Sequence, residues 1–411
     1  MITRRTFLRS AAVNAAVAGG ASSFVSRAFA ADPILGPATL PSGTLAESRL
    51  LPLPGKRALI KRTFRPPNYE TPVSDLGESF TPNDAFFVRY HLMDIPEVDA
   101  AQWRLRIGGD SLSTPLELSL DDLGTGFEQV EIAAVCQCAG NRRGWSIPHV
   151  PGVEWGPGAM GNAKWTGVRL RDVLNKAGIK AGAIEVVFDG ADKGVIEKTP
   201  DFIKSLPMDK ALDDNTLIAH RMNGEALPHW NGFPARLVVP GWAATYWVKH
   251  LTSIDVASTP FTGFWMAKAY RIPKGKFPLI DRFVSQEGEA NTPITELVVN
   301  SLITNLSDGQ KVAHGKPTDV RGIAWDGGRG VDRVEVSIDG GQHWQAASLG
   351  EDQGRFSWRT WSYPVRPEKR GNMTVMARAS NRAGSSQTFE LIWNPAGYHN
   401  NVVQRHALTV V

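Results

Sequence analysis

An α+β domain followed by an immunoglobulin-like β-sandwich is the architecture that this sequence predicts, on three observations. Short strand-like runs outnumber helices between 85 and 283, only one segment carries clean helical periodicity, and residues 284–411 turn to alternating strands. The regular βαβ alternation of a doubly wound fold is absent.

Taken in order, residues 1–30 hold Thr3-Arg4-Arg5-Thr6-Phe7-Leu8-Arg9, an Ala/Val/Gly-rich stretch and Ala28-Phe29-Ala30. That pattern fits a twin-arginine export signal with an A-x-A cleavage site, so a mature chain beginning near Ala31 and delivered folded to the periplasm is expected. Residues 31–84 carry Pro33, Pro37, Pro41, Pro52, Pro54, Pro66 and Pro67, which predicts an extended segment without helix, wrapped over a domain surface. In residues 85–283 strands are predicted at Phe86–His91, Trp103–Ile107, Val130–Val135, Ile184–Phe188 and Arg236–Val239. The one clear helix is Leu170–Ala177, with Leu170, Val173, Leu174 and Ala177 on one face and Gly178 as its stop. Beyond 284, Val334–Ile338 alternates and runs into Asp339-Gly340, a hairpin signal, with further strands at Trp344, Ser357–Trp361 and Thr374–Ala379.

With 42% hydrophobic and 21% charged residues, the chain of 411 reads as an ordinary globular protein, neither membrane-spanning nor disordered. The formal charge of +4 is matched by the four arginines of residues 1–30, which contain no acid, so the remainder is balanced. No global field favours nucleic acid, and any useful positive charge is local. The two cysteines, Cys136 and Cys138, lie at i and i+2, where a disulfide is strained, and there is no C-x-x-C-H run for covalent haem.

Cys138 is the most informative position. It ends an apolar strand, and Ala139-Gly140-Asn141-Arg142-Arg143 follows, setting a soft metal ligand beside anion-binding guanidiniums. Gly140 is expected to let a bulky cofactor approach the backbone. On chemistry alone a small buried core thiol is an equal reading.

Cys138 to Arg143 resembles the cysteine loop of the sulfite oxidase family, and Phe87-Val88-Arg89-Tyr90-His91 resembles its substrate-arginine strand. Gly232 to Gly241, continuing to Trp247-Val248-Lys249, is similar to the pterin-binding segment, and Trp265 to Tyr270 to the stretch ending in the active-site tyrosine. Trp325, Ser337 to Gly341, Trp344 and Ile392-Trp393-Asn394 resemble the dimerisation domain. The whole pattern looks most like the exported bacterial sulfite dehydrogenases.

The resemblance implies a sulfite-oxidase-type molybdopterin domain over 85–283, a dimerisation sandwich over 284–411, and molybdenum held by a pyranopterin dithiolene and the Cys138 thiolate. Arg89 and Arg143 would grip sulfite, Tyr270 would donate to an oxygen at the metal or substrate, and His91 would tune charge or relay a proton. Arg236 and Lys249 would bind the pterin phosphate, Asp192 would accept from its ring nitrogens, and Phe87, Val88, Tyr90, Trp247 and Val248 would complete the binding segments. Two departures stand out: Asn231 replaces the histidine of animal members and Tyr246 an arginine.

With no haem motif and no length for a cytochrome b5 domain, electrons are expected to leave singly to an external partner, a soluble periplasmic c-type cytochrome. A homodimer, no nucleic acid and no membrane partner complete the expectation. The rival readings are a sulfane dehydrogenase of a thiosulfate-oxidising complex, a methionine sulfoxide reductase, and a non-catalytic exported binder using the 13 tryptophans.

Overall fold

Cys138 hangs from the end of a nine-residue strand, Gln129–Gln137, at the edge of a sheet in which Met160–Arg169 lies beside it and Leu217–Met222 beyond that. The computed structural model describes residues 50–51, 53–275 and 286–411. The expected export signal therefore lies outside the described residues.

Gln129–Gln137 pairs antiparallel with Met160–Arg169 over its full length, and Arg236–Val238 joins the same sheet by pairing with Leu217–Met222. A second sheet runs Lys204–Pro207, Glu185–Gly190, Leu251–Ala257, Leu105–Gly108, Leu116–Leu118, in which only Leu251–Ala257 against Leu105–Gly108 is parallel. The helix Leu170–Ala177 forms as its spacing predicts, burying Leu170, Val173, Leu174 and Ala177 and ending at Gly178 with φ 74°. These elements share one core with Trp155, Trp165 and Trp247, all fully or almost fully buried.

The described part of the proline-rich segment is extended and forms no α-helix, but it is paired into a sheet. It contributes Leu50–Leu51, Leu59–Thr63 and Asn68–Glu70 to a four-stranded antiparallel sheet completed by Val88–Arg89, and a 3-10 turn at Val73–Leu76. Prolines tolerate edge strands and turns, so composition alone hid the pairing. The strand predicted over Phe86–His91 shortens to Val88–Arg89 because the Tyr90 amide bonds the Asn68 side chain, 3.2 Å, instead of a neighbouring strand. Glu70, almost fully buried, pairs with Arg62 at 2.7 Å and accepts the amides of Gly156 and Gly158 at 2.8 Å, which ties this sheet to the loop behind Cys138.

Residues beyond 290 form two facing sheets, one of Asn300–Ile303, Thr318–Trp325, Arg359–Val365 and Ser348–Leu349, the other of Lys311–Val312, Gln404–Val410, Gly371–Asn381, Val331–Ser337 and Gln345–Ala346. Valines and Trp361 fill the space between them, the packing of a β-sandwich. The two parts are stitched at the cysteine loop. Arg142, fully buried, donates to the carbonyls of Ser301 (2.6 Å) and Val402 (3.1 Å), and Trp325 Nε1 donates to Gln137 at 2.6 Å. Among the described residues no helix is long and apolar enough to cross a membrane.

Candidate active site

Period-two alternation along Gln129–Gln137 and into the loop turns Cys136 and Cys138 to the same side, and both thiols are free and line one cavity. Burial pushes the Cys136 thiol up to about 11, with the Arg236 guanidinium 4.0 Å away opposing it. Tyr270 and Tyr398 interact electrostatically with Cys138, and Arg89, which lines the same cavity, acts on both tyrosines. The loop is braced by the Cys138 amide on the Ala159 carbonyl, 2.9 Å, and by Asn141, which accepts the Ala159 amide at 3.0 Å.

Arg89, His91 and Tyr270 meet in the wall. The Tyr270 hydroxyl bonds His91 Nε2 and lies 3.4 Å from an Arg89 nitrogen, and its ring stacks on Tyr398 at 5.7 Å. Burial raises the Tyr270 hydroxyl above its ordinary range, partly offset by Arg89. His91 is clasped between Phe202, 3.8 Å between ring centres, and Trp265, 4.9 Å. Burial, then the charges of Arg89, Lys249 and Lys204, hold it well below the usual histidine range, so its imidazole is neutral near pH 7.

On the Cys136 side, Arg236 reaches in from its strand between the rings of Trp165 and Trp247, donating to the carbonyls of Asn231 (2.8 Å) and Trp247 (3.0 Å). Lys249 donates to the Arg89 carbonyl at 2.8 Å over the Tyr90 ring, and Tyr90 bonds His250 at 2.7 Å. Burial lowers Lys249 well below its ordinary range and raises Asp192 to about 6, each partly countered by the other. Asn231 donates to the Phe87 carbonyl at 3.1 Å and accepts from Lys56 at 2.5 Å.

Of the positions singled out from sequence, Phe87, Arg89, Tyr90, His91, Cys138, Asp192, Asn231, Arg236, Trp247, Lys249 and Tyr270 line the cavity. Val88 is instead packed with Leu59, Tyr69 and Tyr90, and Val248 lies in the main core. Arg143 is not in the lining. Its guanidinium donates to the carbonyls of Ala396 (2.9 Å) and Val153 (3.3 Å) and lies over Tyr398, one ring removed from Tyr270. A tight approach at Gly140 is made by Arg143, since a Cβ there would sit 2.6 Å from its guanidinium. Sequence reasoning passed over Cys136, Phe202 and Thr245 in the lining and Lys56 behind it. Only Cys136 carried a usable signal, its period-two relation to Cys138.

Three cationic side chains and one carboxylate face this cavity, and Arg236 Nε and Thr245 Oγ1 are buried without a partner among the described residues. Unpaired buried donors and excess positive charge are costly unless an anion completes them. A thiol, a cationic wall and orphaned donors fit an anionic, phosphate-bearing pterin, and the free Cys138 thiol is a residue that could hold its metal.

Comparison with known proteins agrees with that geometry. Residues 92–265 match the oxidoreductase molybdopterin binding domain and 291–411 the Mo-co oxidoreductase dimerisation domain. The chain is 38% identical to the mitochondrial sulfite oxidase of Macaca fascicularis over 85% of its own length, and spans 65% of that protein. It is 36% identical to the sulfite oxidase of Gallus gallus, covering 84% of this chain and 76% of that one. Among solved structures, the sulfane dehydrogenase SoxCD of Paracoccus pantotrophus superposes with a TM-score of 0.72 at 25% identity, covering 91% of this chain and 93% of that one. On fold, cavity and these likenesses together, the chain belongs to the sulfite oxidase family of molybdopterin-binding oxidoreductases.

Proposed function

We propose that the protein is a periplasmic, molybdenum-dependent sulfite dehydrogenase that passes electrons one at a time to an external c-type cytochrome. The observation that carries the reading is the convergence of Cys138, Arg89, His91 and Tyr270 in one cavity whose charge is positive. When bound, the molybdenum-pterin group supplies the two-electron oxidant, water being the source of the added oxygen.

The chain's own residues do the rest. Cys138 anchors the metal, and Arg236 and Lys249 hold the pterin phosphate while Asp192 and Asn231 take its ring edge. Arg89 orients the sulfite oxygens so that the sulfur lone pair is left free. Tyr270 and the neutral His91 pass on a proton released as water is consumed, since sulfite and water give sulfate, two protons and two electrons. The twin-arginine signal supports folding and loading before export, and the sandwich supports a homodimer.

The likeness to a sulfane dehydrogenase supports a second reading in which protein-bound sulfane sulfur is the substrate. Purified, molybdenum-loaded protein separates them. Sulfite-dependent reduction of cytochrome c is expected, and a loaded enzyme inert to free sulfite but active on carrier-bound sulfane sulfur overturns the proposal.

A further inference from the structure

Lys204 is a cation that the proposed chemistry leaves unused. It lies on the edge strand Lys204–Pro207 and is 1% exposed, and among the described residues no carboxylate pairs with it. Its ammonium donates to the Trp265 carbonyl at 2.6 Å and lies 4.7 Å from the Tyr246 ring centre and 5.2 Å from that of Tyr270.

The partner carbonyl explains the position. Trp265 belongs to the short helix Phe264–Ala267, where the amides of Lys268 and Ala269 both turn to the Phe264 carbonyl, at 2.9 and 3.2 Å. That leaves the Trp265 carbonyl to Lys204. Arg271 serves the next one, donating to Met266 at 3.1 Å. Two side-chain cations thus stand where backbone donors usually close a helix end. The chain then enters Tyr270 at φ 58°, a left-handed conformation that a bulky residue holds only when its surroundings impose it.

We propose that Lys204 is a positioning residue for the Tyr270–His91 pair, clamping the turn that carries Tyr270 and setting an uncompensated positive charge behind both rings. The proposal rests on the reading that Tyr270 and His91 face the substrate. Burial brings Lys204 down to about 7, yet its charge is among those that depress His91. The charged and titratable groups facing His91 are Arg89, Lys249, Lys204 and Tyr270, and those facing Tyr270 include Arg89, Arg143, Cys138 and Tyr398. Removing Lys204 therefore loosens the tyrosine and makes His91 easier to protonate.

The test compares full-length Lys204→Met, Lys204→Gln and Lys204→Arg with wild type. Sulfite kcat and KM are followed from about pH 5.5 to 9 at equal molybdenum content, and the His91 ring titration is followed by NMR in molybdenum-free protein. For Lys204→Met, kcat/KM is expected to fall at least about tenfold, mostly in kcat, with the His91 midpoint rising by about half a pH unit or more. Lys204→Gln retains a donor for Trp265 without charge, so it should show the His91 shift with a smaller loss of kcat, and it serves if the methionine variant fails to fold. Lys204→Arg should recover both readouts. Wild-type kinetics and midpoint in Lys204→Met, or equal defects in the methionine and arginine variants, overturn the proposal. A wild type that does not oxidise sulfite removes the functional reading instead, and the NMR midpoint then decides the charge.

Discussion

Replacing Arg89 by glutamine removes a positive charge from the cavity wall while leaving the fold nearly intact. The guanidinium lies 3.3 Å from Asn68 Oδ1 and 3.4 Å from the Tyr270 hydroxyl and also donates to the Tyr90 carbonyl; when Arg89 is gone Asn68 Oδ1 keeps the Tyr90 amide at 3.2 Å and the Tyr270 hydroxyl keeps His91, so the Tyr90 carbonyl is the acceptor that loses its donor. A hydrogen bond to a charged group contributes about 1.5–3 kcal/mol, equivalent to roughly 10- to 150-fold in kcat/KM. Because glutamine still offers an N–H, the lower part of that range, about 10- to 30-fold, is expected for Arg89→Gln. The pH profile moves as well. Arg89 depresses His91, so its loss raises the histidine, and activity that needs the neutral imidazole fades at higher pH on the acid side. Steady-state cytochrome c reduction at matched molybdenum content reads both effects, with the larger deficit at pH 6. A variant within about twofold of wild type, with its acid limb in place, would refute the idea that Arg89 meets the substrate.

Two further outcomes test the cofactor wall. Arg236→Met removes a buried guanidinium that has an unpartnered Nε but also donates to two carbonyls, so the stability of the metal-free protein should stay within about 2 kcal/mol. Pterin retained through purification should drop about tenfold, the loss of one strong charge-assisted contact, and pterin content equal to wild type would remove Arg236 from that role. Lys56 and Lys204 are both brought by burial to about 7, against 10.5 in the unfolded chain. Between those values the unfolded chain binds more protons, so stability of the metal-free protein rises with pH by up to about 1.4 kcal/mol per unit for each lysine, and neither contributes to the slope below about 7. Urea unfolding from about pH 7.5 to 9.5 should show Lys56→Met with one proton less of slope, and superimposable slopes would contradict the burial of a protonatable amine.

What could be read in the chain was local. Leu170–Ala177 announces itself because one face of a helix repeats within eight residues, and Cys138 does so because apolar alternation stops there. Lys56 and Lys204 look like any surface lysine in sequence. Their burial depends on carbonyls contributed by Asn83, Phe86 and Trp265, which only tertiary approach supplies. Arg143 shows the same limit from the other side: its residue type suits an oxyanion, but the carbonyls of Ala396 and Val153 hold its guanidinium away from the cavity lining.

Arg142 and Arg143 are consecutive, both buried, and satisfied chiefly by carbonyls of the sandwich at Ser301, Val402 and Ala396. With no carboxylate paired to it among the described residues, Arg142 is pushed by burial down to about 9, so its charge is tolerated only while those carbonyls are in place. The loop that presents Cys138 is therefore completed by residues more than 150 positions away. The sandwich supports the thiol loop from behind without lining the cavity, and the conformation of that loop depends on the packing of the two parts.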